Sequence, residues 1–197
     1  MNVTMVVLAV DLLTPPAAFA EWQVKPFLGV TFGGATTLLD LEGAAGQANV
    51  AVGLGALLIG DTLGVEADLG YAPGFFQTGD RQQPLVVRSG VTTLTGNVVL
   101  AVPRHLTQYT LRPYFVGGGG LMHAQSEDFF GALAVSTTLP AIDLGGGVTG
   151  FLTSRFGVNW DVRYLRSFRG TDAGTGVSFG AEELAFWRAS MALAIRF

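Results

Sequence analysis

The chain of 197 residues contains no cysteine. A disulfide scaffold and any Cys-ligated metal site are therefore excluded. Two histidines are too few for a His-rich metal centre. Lysine occurs once, at position 25, and the formal net charge is −4, so the basic stripe that nucleic acid requires is missing. Charged residues make up only 13%, about half the roughly 25% of an ordinary soluble domain. With 49% hydrophobic residues, the composition also excludes an intrinsically disordered chain. Long apolar runs are scarce as well. The longest uncharged candidate after the N-terminus, residues 43–60, is interrupted by five glycines and falls short of the ~20 residues of a membrane helix. The glycine runs at 117–120 and 145–147 lack the Gly-Lys-Ser/Thr and following helix of a phosphate loop. They read instead as strand positions thinned for packing or bending.

What is present begins with a processing segment. Residues 3–13 form an apolar run, broken by Thr14-Pro15-Pro16 and followed by Ala18-Phe19-Ala20. Small residues at positions 18 and 20 match the pattern a signal peptidase reads, so cleavage is expected before Glu21. No Lys or Arg precedes the run, and Asp11 lies within it. The expected organisation is a signal peptide over 1–20 and one domain over 21–197.

The mature chain alternates with the period of two that marks strands. In its seventh segment Phe156, Val158, Trp160, Val162 and Tyr164 share one face, with Gly157, Asn159, Asp161 and Arg163 on the other. The third segment sets Leu63, Val65, Ala67, Leu69 and Tyr71 against Gly64, Glu66, Asp68 and Gly70. Segments near 22–33, 93–102, 142–151 and 187–197 alternate in the same way. Two more, near 49–60 and 112–123, are too glycine-rich for their faces to be assigned. Tight turns are expected at 60–62 and 153–155 and a medium link at 103–111. Longer links are expected at 34–48, 73–90, 124–139 and 168–183. An even strand count, with short links at one end and long ones at the other, is the layout of an outer-membrane barrel.

Alternation alone says only that one face is dry. Here the non-apolar face is mostly glycine, alanine, serine and threonine, which suits a narrow eight-stranded lumen. The apolar face is bulky and ends in aromatics such as Trp22, Tyr71, Tyr164 and Trp187, as expected of interfacial girdles. The apolar face is therefore expected to meet lipid. The fold class is all-β, an eight-stranded antiparallel up-and-down transmembrane β-barrel, closed because an unpaired edge is not tolerated in hydrocarbon.

Several stretches carry a family resemblance. They are Val65-Glu66-Ala67-Asp68-Leu69-Gly70-Tyr71, Arg112-Pro113-Tyr114-Phe115-Val116-Gly117-Gly118-Gly119, Asp143-Leu144-Gly145-Gly146-Gly147-Val148 and Trp160-Asp161-Val162-Arg163-Tyr164. Met191-Ala192-Leu193-Ala194-Ile195-Arg196-Phe197 completes the set. In this order, over 21–197, the chain resembles the small outer-membrane β-barrel superfamily of OmpA-type and opacity-type proteins. The resemblance implies outer-membrane localisation, outer-membrane lipids as surroundings, and a final strand ending on Phe197 that is read by the barrel-assembly machinery. No peptidoglycan-binding extension is expected after the barrel.

Candidate chemistry is sparse. His123, Ser126, Glu127 and Asp128 bring together residue types that could serve as nucleophile, base and orienter. Some eight-stranded barrels are lipid A deacylases with a His/Ser/Glu set, but the three-residue spacing of His123 and Ser126 departs from that pattern. These residues are read as a polar loop edge, and His105 carries no functional reading. No catalytic, metal or cofactor-binding residue is expected, and no cofactor. The informative residues are the charges at inward positions: Lys25, Glu66, Asp68, Asp143, Asp161, Arg163, Arg188 and Arg196. Buried charges are costly unless paired, so two ionic clusters are expected. The upper one comprises Asp143, Asp161, Arg163 and Arg188; the lower comprises Lys25, Arg196, Glu66 and Asp68. The functional expectation is a non-enzymatic membrane component or surface-loop contact module with a mostly closed, salt-bridged lumen and an unnamed extracellular loop partner. A small-solute pore and an outer-leaflet lipid hydrolase are the alternatives.

Overall fold

The computed structural model describes residues 20–36, 48–75, 86–107, 111–128, 135–168 and 184–197. The expected signal segment, apart from Ala20, lies outside the described residues. Eight strands run in order: β1 (Glu21–Thr36), β2 (Asn49–Ile59), β3 (Leu63–Pro73), β4 (Val86–Ala101), β5 (Leu111–Asp128), β6 (Val135–Phe151), β7 (Phe156–Ser167) and β8 (Leu184–Arg196). Each pairs antiparallel with the next, and β1 closes on β8. The architecture is the expected closed up-and-down barrel. A short 3-10 turn, Arg104–Leu106, lies in the link between β4 and β5.

The period-two pattern decides which face is which. Along β3 exposure alternates without a break, with Leu63, Val65, Leu69 and Tyr71 outside and Glu66 and Asp68 buried. In β7, Trp160 and Val162 are exposed while Asn159, Asp161 and Arg163 are buried. The faces expected for β1, β4, β6 and β8 are found as well, except that Gly33 of β1 is exposed. Gly33 has φ +60° beside a register shift between Phe32 and Ala35; this is a bulge in the left-handed conformation that glycine adopts at no steric cost. The outer surface is thus a continuous apolar belt, including Leu28, Leu54, Leu94, Leu144 and Leu193. A soluble monomer does not leave so large an apolar surface in water. A closed sheet has no free strand edge, which suits hydrocarbon.

Two expectations need correction. The links at 73–90 and 124–139 are shorter than expected, because β4 and β5 stay paired out to Val86 and Asp128 and β6 begins at Val135. Apolar alternation marks only the depth at which a strand meets lipid; ladder pairing continues beyond it. The lumen is also less uniformly small and polar than expected. An apolar cluster containing Phe75, Val91, Met122, Leu165, Leu184 and Phe186 packs it at the loop end. A second, containing Leu57, Ile59, Val99, Tyr114 and Val116, packs it at the turn end. Much of this material comes from β2 and β5, the two strands whose faces the sequence left open. The glycines of β5 allow the close approach expected of them. A Cβ on Gly118 or Gly120 would strike the carbonyl oxygen of Gly96 or Leu94 on β4.

Candidate functional site in the barrel lumen

Between the two apolar clusters lies a belt of buried charge. Lys25 comes from β1, Glu66 and Asp68 from β3, Asp143 from β6, Asp161 and Arg163 from β7, and Arg188 from β8. Each occupies an inward register position, so alternation alone turns all of them into the lumen. Arg163, 1% exposed, is the hub. Its Nη2 lies 2.7 Å from Glu66 Oε1 and 2.9 Å from Asp161 Oδ2. Its Nη1 lies 3.1 Å from Asp143 Oδ2 and 3.7 Å from Asp68 Oδ2. Lys25 forms a further ion pair with Glu66. Arg188 Nη1 sits 2.9 Å from Asp68 Oδ1 without hydrogen-bond alignment, and its guanidinium lies 4.5 Å from the centre of the Phe27 ring.

Neutral groups add donors to two of the carboxylates, Asp143 and Asp161. Thr95 Oγ1 and Asn97 Nδ2 donate to Asp143 Oδ2 at 3.2 and 2.9 Å. Tyr114 donates its hydroxyl to Asp161 Oδ2 at 3.2 Å, and the Ser190 hydroxyl donates to Asp161 Oδ1. Asn159 Nδ2 donates to Thr149 Oγ1 at 2.8 Å and to the Tyr114 oxygen at 3.0 Å. Desolvating a charge costs several kcal/mol; shared, multiply hydrogen-bonded carboxylates offset that cost.

The two expected clusters are therefore one. The pair Asp143–Arg163 occurs as expected, but Arg163 also reaches Glu66 and Asp68 across the lumen, and Arg188 pairs with Asp68 of the expected lower set. A narrow lumen and a long guanidinium side chain erase the separation that counting along strands suggests. Arg196 does not join the belt. Its Nε lies 3.0 Å from Glu21 Oε2, and Arg104 Nη2 lies 2.6 Å from the same oxygen. Sequence reading missed Glu21, Thr95, Asn97, Tyr114, Asn159 and Ser190 as lumenal partners. Residues 95, 97, 159 and 190 lie on faces already read as inward, and that parity was the usable signal.

His123 stands apart from the belt, on the outer face of β5. Gln125 Nε2 is solely a donor, so it donates to His123 Nε2 at 2.7 Å. His123 Nδ1 hydrogen-bonds to Thr138 Oγ1 at 2.7 Å. Both ring nitrogens are thereby occupied by neighbours on the same face. Ser126 falls at the opposite register parity of the same strand, paired with Ser89 and Val135. The side chains of residues 126–128 lie outside the described residues. Among the described residues no group of His, Asp and Glu is arranged to hold a metal ion.

No protein-family model matches the chain, and no curated protein matches it. Solved structures do. Neisserial surface protein A superposes with a TM-score of 0.63 at 13% identity, covering 90% of this chain and 99% of that one. OprG, an outer membrane protein of Pseudomonas aeruginosa, gives 0.55 at 16% identity, covering 91% and 96%. Ail, the attachment invasion locus protein of Yersinia pestis, gives 0.51 at 11% identity, covering 91% and 99%. The chain has the fold of the small eight-stranded outer-membrane barrels. At these identities the likeness establishes fold alone. Localisation to an outer membrane follows when that fold is joined to the apolar belt on this chain's own exterior, since such a belt is stable only against lipid. The small outer-membrane barrel expected from the sequence is thus the one observed.

Proposed function

We propose that the protein is a non-enzymatic component of the outer membrane whose lumen is closed by salt bridges, and whose contacts with other molecules are made at its loop end. The observation that carries this reading is Arg163, buried at the middle of the lumen and ringed by four carboxylates on three strands. The apolar clusters on either side of that ring support it, because an ion or solute would have to cross dry and charged layers in succession. With the lumen closed, what remains to face the outside is the end that carries the longer connections. In membrane barrels those connections are extracellular and the short turns periplasmic. Attachment is the role named for Ail, and contact through the connections at the loop end is the corresponding role proposed here. No partner is assigned to that end.

Planar-bilayer recording tests the closed lumen. The purified barrel should give no sustained conductance, and Arg163→Ala should open small, flickering channels. Steady wild-type conductance would overturn the closed lumen and favour a small-solute pore. Turnover of lipid A or phospholipid by the purified protein, lost on Ser126→Ala, would overturn the non-enzymatic reading.

A further inference from the structure

Below the ionic belt, at the turn end, the lumen widens into a cavity of about 580 Å³. That volume falls within the roughly 300–1,000 Å³ typical of small-molecule sites. Its inner end is marked by Tyr114, whose hydroxyl is tied to Asp161 of the belt. Leu57, Ile59 and Val99 form an apolar wall. The charged lining is unbalanced: Arg104, Arg112 and Arg196 face a single carboxylate, Glu21. Glu21 is already shared between Arg104 and Arg196 and accepts from Gln23 Nε2 at 2.6 Å.

Arg112 is the uncompensated member. Nε donates to the Val102 carbonyl at 3.1 Å, and Nη2 donates to the carbonyls of Gly60 and Asp61 at 2.9 and 2.6 Å. These bonds fix the guanidinium in place without neutralising it, and among the described residues it forms no salt bridge. Arg104 and Arg196 repel it, while Glu21 and the rim residue Asp61 attract it. Counting Asp61, three arginines still exceed two acids. This occurs on a chain whose overall charge is negative. The Arg104 side chain is about half exposed, so the cavity opens to solvent at this end. Among the described residues Nη1 of Arg112 is left without a carbonyl partner, and a charged N–H donor held in place in this way is suited to a carboxylate or phosphate oxygen.

We propose that this vestibule binds a small amphiphilic organic anion, one carboxylate or phosphate group on a ring-sized apolar body. The anionic group meets Arg104 and Arg112 at the rim, and the apolar body lies against Leu57, Ile59 and Val99. The site is independent of the loop-end role and of whether the lumen conducts, because it lies wholly on the turn side of Tyr114.

The test uses the whole mature barrel in phosphatidylcholine nanodiscs, with fluorine NMR of three probes: 4-fluorobenzoate, 4-fluorophenyl phosphate and the uncharged 4-fluorobenzyl alcohol. Saturable broadening is expected for at least one anion and not for the alcohol, and the tighter anion identifies the headgroup chemistry. Arg104→Gln should weaken that anion about fivefold, the upper range for a partly exposed charge pair. Glu21→Ala removes the competing carboxylate and should tighten it by a similar factor. Opposite signs from two variants separate a site from a general loss of structure, and heat-modifiable migration confirms that both are folded. Absence of saturable binding by both anions, equal binding of the alcohol, or affinities unmoved by both variants would each overturn the proposal.

Discussion

Arg163 Nη2 and Glu66 Oε1 meet at 2.7 Å across the lumen, although their strands, β7 and β3, are not neighbours in the sheet. This contact joins opposite walls of the barrel through side chains alone. It makes the belt a single electrostatic unit, because Glu66 also holds Lys25 and Arg163 also holds Asp143 and Asp161.

Arg163→Ala leaves four buried carboxylates facing two remaining bases. The expected loss is ~3–5 kcal/mol, the range for breaking a buried pair by removing one partner. Asp143→Asn should couple to it, so that the double variant loses clearly less than the sum of the singles. Reversible urea unfolding in lipid vesicles measures both. A combined loss near ~1 kcal/mol or less, with no coupling, would mean that the lumen is hydrated like a surface.

The lipid face gives an independent measurement. Leu69 and Val162 are 47% and 44% exposed and lie toward the middle of β3 and β7. Leu69→Arg and Val162→Arg should each cost ~2–4 kcal/mol if these positions sit near mid-depth in a bilayer. Arginine on a water-facing strand would cost less than ~0.5 kcal/mol. Near-zero values at both positions would place the apolar belt in water.

Much of this was legible in the sequence, for a particular reason. In β3 and β7 a lipid face and a lumen face differ so strongly in bulk that Leu69 and Asp68 assign each other. In β2 and β5 that contrast vanishes. Ala51 and Val52, or Tyr114 and Phe115, are apolar on both faces, so the packed layers containing Leu57, Tyr114 and Met122 could not be read. Parity was nevertheless recoverable from pairing: Leu100 lies opposite Phe115 across the β4–β5 link, so both must point outward. The charged residues of the belt were legible as inward charges, but their partners were not. Which carboxylate Arg163 reaches depends on strand tilt and lumen width, and neither is written in local alternation. Glu21 escaped because it precedes the first alternating residues.

Gly120 tests the close approach of β5 to β4. A Cβ there meets the Leu94 carbonyl oxygen and the backbone of Thr95, and backbone yields less readily than a flexible side chain. Gly120→Ala should lower stability by ~1–3 kcal/mol, the usual range for overpacking, and slow folding into vesicles. Gly96→Ala, with nothing near its Cβ direction, should be neutral or mildly stabilising. Equal effects at the two glycines would show that backbone freedom, and not contact, sets their cost.

Maturation is expected before Glu21, by the small residues at 18 and 20. Glu21 is also the first residue of β1 and pairs with Ile59, so the ladder among the described residues begins at the expected cleavage point. Intact-mass spectrometry of the membrane-assembled protein should give a chain beginning at Glu21. A mass that retains residues 1–20 would refute this boundary.

The final prediction concerns assembly through Phe197. The Phe197 side chain is exposed on the apolar parity of β8, in line with Leu193 and Ile195, and its backbone N–H donates to the Trp22 carbonyl at 3.0 Å. That bond extends the β1–β8 seam by which the barrel closes. Two effects should follow from its loss. Recognition by the barrel-assembly machinery, proposed from the terminal aromatic, should fail in cells. Seam closure should weaken only slightly in vitro, because one bond of this kind contributes ~0.5–1.5 kcal/mol. The two are separable: Phe197→Ala keeps the backbone donor and removes the ring, whereas deletion removes both. Both variants should fold from urea into vesicles at near wild-type yield, while both should lose heat-modifiable barrel in outer-membrane fractions. Normal assembly of Phe197→Ala in cells would refute the ring as the recognised element. Failure of that variant in vesicles as well would move the role of Phe197 from recognition to the anchoring of β8 at the interface.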